Sequence, residues 1–218
     1  MNKDYVVIGS GGHARVLIAA LKAGGIVPVA CLDSDPSRWN GQVLGVTVTG
    51  DDSTLPALGK PDHVLLVNGV GSAAQPEMRR AVWEKFLALG YRFASVTDPR
   101  AIVSEGVSID PGAQILAAAV VQPGTRIGSN AIINTGACVD HDCSIGSHAH
   151  IAPGAVLCGN VDVGESAHIG AGAIIRQGAR IGHGAVVGMG AVVISDIEDH
   201  AVVGGIPARA LHATGAST

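Results

Sequence analysis

Hydrophobic positions between Ala101 and Asp196 recur every six residues, in sixteen consecutive hexads without an inserted residue. The third position of each hexad is Ile, Val or Leu, the first is Ala, Val, Thr or Cys, and Gly recurs at the fourth and sixth. This fixed period predicts a parallel β-helix, in which three short strands form one triangular coil of eighteen residues. The aliphatic third position then points inward, and residues eighteen apart stack at the strand spacing of about 4.8 Å.

A different pattern occupies the first hundred residues. The apolar run "YVVI" predicts a buried strand, and "ARVLIAALKAGG" has the spacing of a helix that ends at Gly24 and Gly25. Further strands are predicted in "VPVACLD", "HVLLVNGVGS" and "YRFASVT", with a helix from about Pro76 to Leu89. This alternation predicts a small parallel α/β sheet. We therefore expect two domains, a Rossmann-like α/β domain over residues 1–98 and a β-helix over residues 99–218.

The segment "GSGGHA" follows the first strand and is close to the dinucleotide-binding pattern G-x-G-x-x-G/A. Glycines there permit a tight turn and present backbone N–H groups to phosphate at a helix start. Asp33 ends the second strand, where a carboxylate can bind a ribose or a base. The domain has room for one mononucleotide half, so a single nucleotide, joined to a sugar, is the favoured ligand. An ordinary strand-to-helix turn is the alternative.

Composition narrows the functional classes. The net charge is −4 without a basic run, which gives nucleic-acid binding little electrostatic support. No hydrophobic stretch is long enough to span a membrane, and the N-terminus lacks a signal-peptide layout, so we expect a cytoplasmic protein. The four cysteines are expected to be reduced thiols.

Titratable groups cluster in "AIINTGACVDHDCSIGSHAHIAPG" (131–154). His141 and Asp142 occupy a corner outside the prism, and His150 and His168, eighteen apart, stack on one outer face, so we expect these groups to be external. Zinc ligation lacks the usual Cys and His spacing, and we expect no metal. His141 can act as a general base that Asp142 orients. An exposed base on a flat face cannot form a pocket by itself. This favours a trimer in which neighbouring prisms pack side by side and form a cleft.

The segments "IGSGGHARVLIAAL", "INTGACVDHDCSIGSHAHIAPGAVLCGNV" and "AVVGGIPAR" resemble the NeuD/PglD family of sugar acetyltransferases across nearly the whole chain. The resemblance implies a left-handed β-helix, a homotrimer, and acetyl transfer from acetyl-CoA to a nucleotide-linked amino sugar of polysaccharide biosynthesis. It also implies roles for individual residues. His141 and Asp142 match the general base and its acidic partner, and Asn134 a contact to the sugar amine. His150, Gly159, Ala171 and Met189 match the acetyl-CoA site. Gly11, Gly12, His13, Asp33, Ser34, Gly69 and Gly71 match the nucleotide-sugar pocket, although the family often has an acidic residue where this chain has Ser34.

The resemblance implies direct transfer, with His150 and a backbone N–H such as that of Gly159 stabilising the acetyl oxygen. The preferred acceptor is a 4-amino-4,6-dideoxy sugar, and "VNGVGSAAQPEMRR" resembles the GDP-perosamine branch most. UDP-linked amino sugars and O-acetylation of a sialic acid remain alternatives. So do a γ-type zinc carbonic anhydrase, a nucleotide-sugar sensor and an NAD(P)-dependent enzyme.

Overall fold

The computed structural model describes residues 3–72 and 76–211, and these form two compact units. The first contains the described residues up to Ala101 together with Asp110–Ala117. The second contains Ile102–Ile109 and the described residues from Ala118 onward.

The first unit is an α/β domain around one mainly parallel sheet, as the strand and helix alternation predicts. Its elements are β1 Asp4–Ile8, α1 Gly12–Ala23, β2 Ala30–Leu32, β3 Gln42–Val43, β4 Val46–Gly50, α2 Leu55–Leu58, β5 Val64–Asn68, α3 Pro76–Ala88, β6 Arg92–Phe93, β7 Val96–Thr97 and β10 Gln114–Ile115. The strand order is β3-β4-β2-β1-β5-β6, and β2, β1 and β5 pair in parallel, as do β2 and β4. Short helices over Pro36–Arg38 and Asp52–Thr54 follow β2 and β4.

Apolar packing under α3 forms the core of this unit. Phe86 and Leu66 are almost fully buried, and Trp83 stacks on Phe93 with ring centroids 4.6 Å apart. Burial of a side chain of this size contributes roughly 1.5–3 kcal/mol. The core fixes the carboxyl ends of the parallel strands along one edge of the sheet, where loops are free to form a site.

The second unit is a parallel β-helix. Strand pairing runs Ile132↔His150↔His168, so each coil contains eighteen residues, as the hexads predict. The strands are β8 Ile102–Val103, β9 Ser108–Ile109, β11 Val120–Val121, β12 Arg126–Ile127, β13 Ile132–Ile133, β14 Cys138–Val139, β15 Ser144–Ile145, β16 His150–Ile151, β17 Val156–Leu157, β18 Asp162–Val163, β19 His168–Ile169, β20 Ile174–Ile175, β21 Arg180–Ile181, β22 Val186–Val187, β23 Val192–Val193, β24 Val202–Gly204 and β25 Arg209–Ala210.

Three sheets form the faces of this prism. We call β13, β16, β19, β22 and β24 sheet I, β8, β11, β14, β17, β20 and β23 sheet II, and β9, β12, β15, β18 and β21 sheet III. The chain passes from sheet I to sheet II at the I/II edge and from sheet II to sheet III at the II/III edge. Third-position side chains fill the interior, and Ile133, Ile151 and Ile169 are 0% exposed.

The sixth position of the hexads adopts left-handed backbone geometry. Many of these residues are glycines, which take positive φ without steric cost, but φ is also 59° at Asp142 and 62° at His148. Asp and His are among the non-glycine residues that tolerate this region best. The turn that carries Asp142 is therefore fixed by the repeat itself.

Candidate active site

A cavity of about 850 Å³ lies at the carboxyl edge of the sheet in the first unit. Its size suits a ligand of several rings. Every residue that the sequence places in a nucleotide-sugar pocket lines this one cavity: Gly11, Gly12, His13, Asp33, Ser34, Gly69 and Gly71.

The glycines of this cavity have two different physical roles. A Cβ on Gly69 would lie 2.7 Å from the carbonyl oxygen of Ile8 and 2.8 Å from Cβ of Ala14, so only glycine lets the two loops approach. A Cβ on Gly12 would meet nothing within 4 Å. Gly69 therefore shapes the loops, whereas Gly12 leaves space for a ligand at the start of α1.

Asp33 holds the loop after β1 in place. Its Oδ2 accepts hydrogen bonds from the backbone N–H and the hydroxyl of Ser10, at 2.8 and 2.5 Å, and its Oδ1 accepts one from the N–H of Asp35 at 3.0 Å. Burial alone would raise the pKa of Asp33, but these hydrogen bonds and the charge of Arg38 lower it overall. The carboxylate is thus ionised and already bound to its own loops.

Arg38 is a site residue that the sequence interpretation missed. Its Nη1 lies 3.4 Å from the hydroxyl of Ser10 and 3.8 Å from Oδ2 of Asp33, and its Nε lies 3.4 Å from Oδ2 of Asp35. The side chain is half exposed and lines the cavity beside the glycine loop. No repeat or motif marks this position, and its one signal is a basic residue shortly after the strand that ends at Asp33.

His13 is held in the neutral form. Burial lowers its pKa to about 4, the charge of Arg79 acts in the same direction, and a hydrogen bond with Gln114 opposes both. Gln114 donates from Nε2 to the carbonyl of Asn68 at 2.9 Å, so its Oε1, 2.7 Å from His13 Nε2, accepts from that nitrogen. His13 therefore brings no positive charge to the cavity at neutral pH.

His141 and Asp142 form a hydrogen-bonded pair on the II/III edge of the β-helix. Nδ1 of His141 lies 2.8 Å from Oδ2 of Asp142, and both side chains are more than half exposed. The hydrogen bond to Asp142 raises the pKa of His141; desolvation opposes this effect, and the charges of Asp140 and Asp142 add to it. The geometry fixes the ring with Nε2 as the nitrogen directed away from the carboxylate.

Two glycines on the neighbouring coils make room for this pair. A Cβ on Gly159 would lie 2.5 Å from Nε2 of His141, and a Cβ on Gly124 would lie 2.4 Å from Oδ1 of Asp142. Each is eighteen residues from its partner and therefore stacks against it. In the described part of the chain, the backbone N–H of Gly159 donates to no acceptor. The N–H of Gly159, a hydrogen-bond donor, thus lies beside the imidazole of His141, a base.

A second group of polar side chains lies on sheet I and the I/II edge. Nδ2 of Asn134 lies 3.0 Å from Nε2 of His150, and the rings of His150 and His168 meet edge to face with centroids 4.9 Å apart. The expectation that His150 is external is wrong in one respect, because its side chain points out of the coil but is only 6% exposed. Burial also lowers the pKa of His168.

Within one chain the two groups lie on separate edges. Asn134 follows β13 at the I/II edge, whereas His141 follows β14 at the II/III edge, with the width of sheet II between them. Ala171 and Met189 follow β19 and β22 and belong to the I/II edge, where Met189 is 83% exposed. Gly159 is on the same edge as His141. The predicted acetyl-CoA residues are therefore divided between both edges.

Two negative findings concern only residues 3–72 and 76–211. No three His, Cys, Asp or Glu side chains are grouped as a metal ion would need. No helix there combines the length and the apolar character required to cross a membrane.

Comparison with known proteins identifies the family of the chain. Residues 4–86 match the PglD N-terminal domain, and residues 124–159 match the bacterial transferase hexapeptide (six repeats). The perosamine N-acetyltransferase of Caulobacter crescentus, solved as a His-to-Asn variant with CoA and GDP-perosamine, is 37% identical, with a TM-score of 0.89 over 96% of this chain and 97% of that one. The chain belongs to the NeuD/PglD-like family of sugar acetyltransferases. It is thus an acyltransferase with the predicted α/β and β-helix fold class.

Two further solved structures resemble the chain. The acetyltransferase domain of PglB from Neisseria gonorrhoeae, in complex with acetyl coenzyme A, is 37% identical, with a TM-score of 0.88 over 97% of this chain and all of that one. WeeI from Acinetobacter baumannii is 26% identical, with a TM-score of 0.82 over 96% of this chain. No curated protein matches the chain by sequence.

Proposed function

We propose that this enzyme transfers the acetyl group of acetyl-CoA to the 4-amino group of a nucleotide-linked amino sugar, either GDP-perosamine or a UDP-linked 4-amino-4,6-dideoxy sugar. The observation that carries the proposal is the pair formed by His141 and Asp142, with Nε2 of the imidazole placed against Gly159. The relatives solved with CoA and GDP-perosamine, or with acetyl coenzyme A, support the same chemistry.

The residues on the II/III edge suit direct acetyl transfer. The sugar amine attacks the thioester carbonyl, and Nε2 of His141 accepts a proton from the amine as the new amide bond forms. Asp142 holds Nδ1 and stabilises the imidazolium that results. The N–H of Gly159 is available to the oxygen that gains negative charge when the carbonyl becomes tetrahedral. Collapse of that intermediate releases the thiolate of CoA, which takes the proton.

The first unit then serves to hold the nucleotide part of the acceptor. Backbone N–H groups at the start of α1 and the guanidinium of Arg38 suit a diphosphate, while the space beside Gly12 leaves room for it. Because acetyl-CoA and nucleotide sugars are cytoplasmic metabolites, we place the reaction in the cytoplasm.

The outer surface of sheet II supports assembly as a homotrimer. All its second-position residues are apolar: Ile102, Val120, Cys138, Val156, Ile174 and Val192. Ile102 is 62% and Ile174 is 44% exposed in the single chain. The same positions of sheet III are Ser108, Arg126, Ser144, Asp162 and Arg180, all polar. Sheet I is mixed, with Ile132, His150, His168, Val186 and Val202 at these positions. The uniformly apolar ladder of sheet II is therefore the face best suited to association.

Such an assembly would join the two groups of site residues. If three copies place sheet II toward a threefold axis, the II/III edge of each copy meets the I/II edge of the next. His141 and Asp142 of one protomer then face Asn134, Ala171 and Met189 of its neighbour. We therefore propose that acetyl-CoA lies along this seam, in a cleft that no single chain forms.

Incubation of the purified protein with acetyl-CoA and a panel of nucleotide-linked amino sugars tests the function. We expect release of CoA and a mass gain of one acetyl group on a 4-amino sugar, with His141→Ala reducing kcat by roughly 10²–10⁴. Because His141 is exposed, its replacement should leave the melting temperature unchanged. Transfer to hydroxyl acceptors alone, or full activity of the His141→Ala variant, would contradict the proposal.

A further inference from the structure

The cavity of the first unit has a fixed order of chemical groups along the sheet edge. The strands β4, β2, β1 and β5 are neighbours and all parallel, so their carboxyl ends lie side by side. Asp52 follows β4, Asp33 follows β2, the glycine loop follows β1, and Gly69 follows β5, and all four line the cavity. A ligand lying along the edge meets these groups in that order.

The spacing between strands gives the distances between these groups along the sheet edge. Two strand separations of about 4.8 Å each lie between β1 and β4, so Asp52 is about 10 Å along the edge from the glycine loop. A nucleoside diphosphate with its phosphates at the glycine loop and its ribose near Asp33 has its base directed toward Asp52. The sugar would then extend in the opposite direction, toward Gly69 and Gly71.

Asp52 has an oxygen available for such a base. Its Oδ2 pairs with Nζ of Lys85 at 2.7 Å, whereas its Oδ1 accepts no hydrogen bond in the described part of the chain. Met78 and Val82 of α3 line the same cavity and provide an apolar wall. A flat base can pack on that wall with its edge directed at the carboxylate.

The other two carboxylates of the cavity are already committed to the protein. Both oxygens of Asp33 bind Ser10 or the N–H of Asp35. Asp35 accepts from the backbone and hydroxyl of Ser37 and pairs with Arg38. Among the carboxylates that line the cavity, Asp52 is thus the best placed to select a base.

We propose that Asp52 selects guanine, so that the acceptor is a GDP-linked amino sugar. A carboxylate offers acceptors and no donor. Guanine presents two adjacent donors on one edge, N1–H and the N2 amino group, which match the open Oδ1 and the second lone pair of Oδ2 beside Lys85. Uracil presents one N–H between two carbonyl oxygens, which the carboxylate would repel. This inference rests on the proposed function for its ligand class and narrows it to one base.

Calorimetric titration with GDP, UDP and xanthosine 5′-diphosphate tests the assignment. We expect the wild type to bind GDP at least about tenfold more tightly than UDP or xanthosine diphosphate, the usual effect of leaving a hydrogen-bonding group unmatched. Asp52→Asn replaces one acceptor by a donor. Xanthine carries a carbonyl where guanine carries its amino group, so this variant should lose affinity for GDP and gain it for xanthosine diphosphate.

Lys85→Ala is the matched control, because it removes the ion pair and keeps the carboxylate. It should retain the preference for GDP, whereas a reversal like that of Asp52→Asn would assign the effect to the ion pair and overturn the proposal. Equal or tighter binding of UDP by the wild type would also overturn it, and acetyl transfer to a UDP-linked amino sugar would then leave the proposed function intact. Conversely, tight GDP binding without any acetyl transfer would contradict the function but not the role of Asp52.

Discussion

The imidazole of His141 rests on the backbone of Gly159, one coil further along the β-helix, and a Cβ there would lie 2.5 Å from Nε2. The imidazole can therefore occupy this position only because residue 159 has no side chain. We expect Gly159→Ala to displace the ring and to lower kcat by roughly 10- to 1,000-fold, up to the usual worth of a general base. Since the displaced ring is exposed, the melting temperature should be close to that of the wild type.

A double-mutant cycle separates this displacement from other effects of the added methyl group. If the methyl group acts by moving the imidazole, Gly159→Ala should have little further effect in a His141→Ala background. Full additivity of the two losses would show that Gly159 acts independently of His141.

The pH dependence of the reaction should report the hydrogen bond between Asp142 and His141. That bond raises the pKa of His141. Only the neutral imidazole can accept a proton, so the rate should fall as the pH drops below this pKa. Asp142→Asn removes the negative charge behind the largest cause of the raised pKa, while the charge of Asp140 remains. We expect the acidic limb of the kcat/KM profile to move to lower pH, with a lower rate at the plateau. Asp162→Asn, which changes an exposed carboxylate on sheet III, should leave the profile unchanged.

Gly12 and Gly69 should respond differently to substitution. Gly12→Val places a side chain in open space within the cavity, so the protein should fold normally and lose most of its affinity for nucleotide diphosphates. Binding of CoA should persist. Gly69→Ala should instead lower the melting temperature, because its Cβ would collide with Ile8 and Ala14. Equal loss of both ligands in Gly12→Val would contradict a division of binding between the two units.

Arg38 is expected to act on the phosphates rather than on the base. Arg38→Met should weaken binding of GDP by roughly 10- to 100-fold, the value of hydrogen bonds to a charged group, and change binding of guanosine little. Calorimetry with both ligands measures the difference. An equal loss for the nucleoside would mean that Arg38 only supports the loops that Asp33 organises.

A shared seam predicts complementation between two inactive variants. His141→Ala disables the II/III edge, and Ala171→Trp obstructs the I/II edge of the same chain. In a trimer that mixes both variants, one of the three seams receives a normal edge from each side and should be active. Mixed trimers are first verified by mass. Their complete inactivity would indicate a site within one chain, and a fully active monomer would exclude the seam.

The β-helix could be predicted from sequence because its determinants are local and repeated. Each aliphatic third position specifies an inward side chain independently of the rest, and so the strands from Ile102 to Val193 follow from counting. The strands Gln42–Val43 and Val46–Gly50 were missed in the segment between Leu32 and Val64, although the alternation of Val and Thr over residues 46–49 is a strand signal that the burial of β4 follows. Pairing of β4 beside β2 depends on the folded sheet rather than on local sequence.

The features of the candidate site that depend on the order of residues along the chain could be predicted from sequence. The features that depend on how side chains pack in the folded protein could not. The pairing of His141 with Asp142 follows from adjacency, and the cavity of the first unit follows from loops at the ends of parallel strands. The burial of His150 depends on what covers the outside of the coil, which no hexad encodes. The placement of Asn134 and His141 on separate edges could have been found by counting, since they belong to consecutive hexads.

The eighteen-residue coil limits how this enzyme can gain or lose length. Removing six residues between Gly159 and Ala171 would turn everything that follows by one face of the prism, so Met189 would leave its edge although its neighbours in sequence stay the same. Removing one whole coil of eighteen residues elsewhere in the repeat would keep every later residue on its own face and shorten the cleft by only about 4.8 Å. The length of the cleft can therefore change only in steps of one coil, and natural variants should differ in length by whole coils.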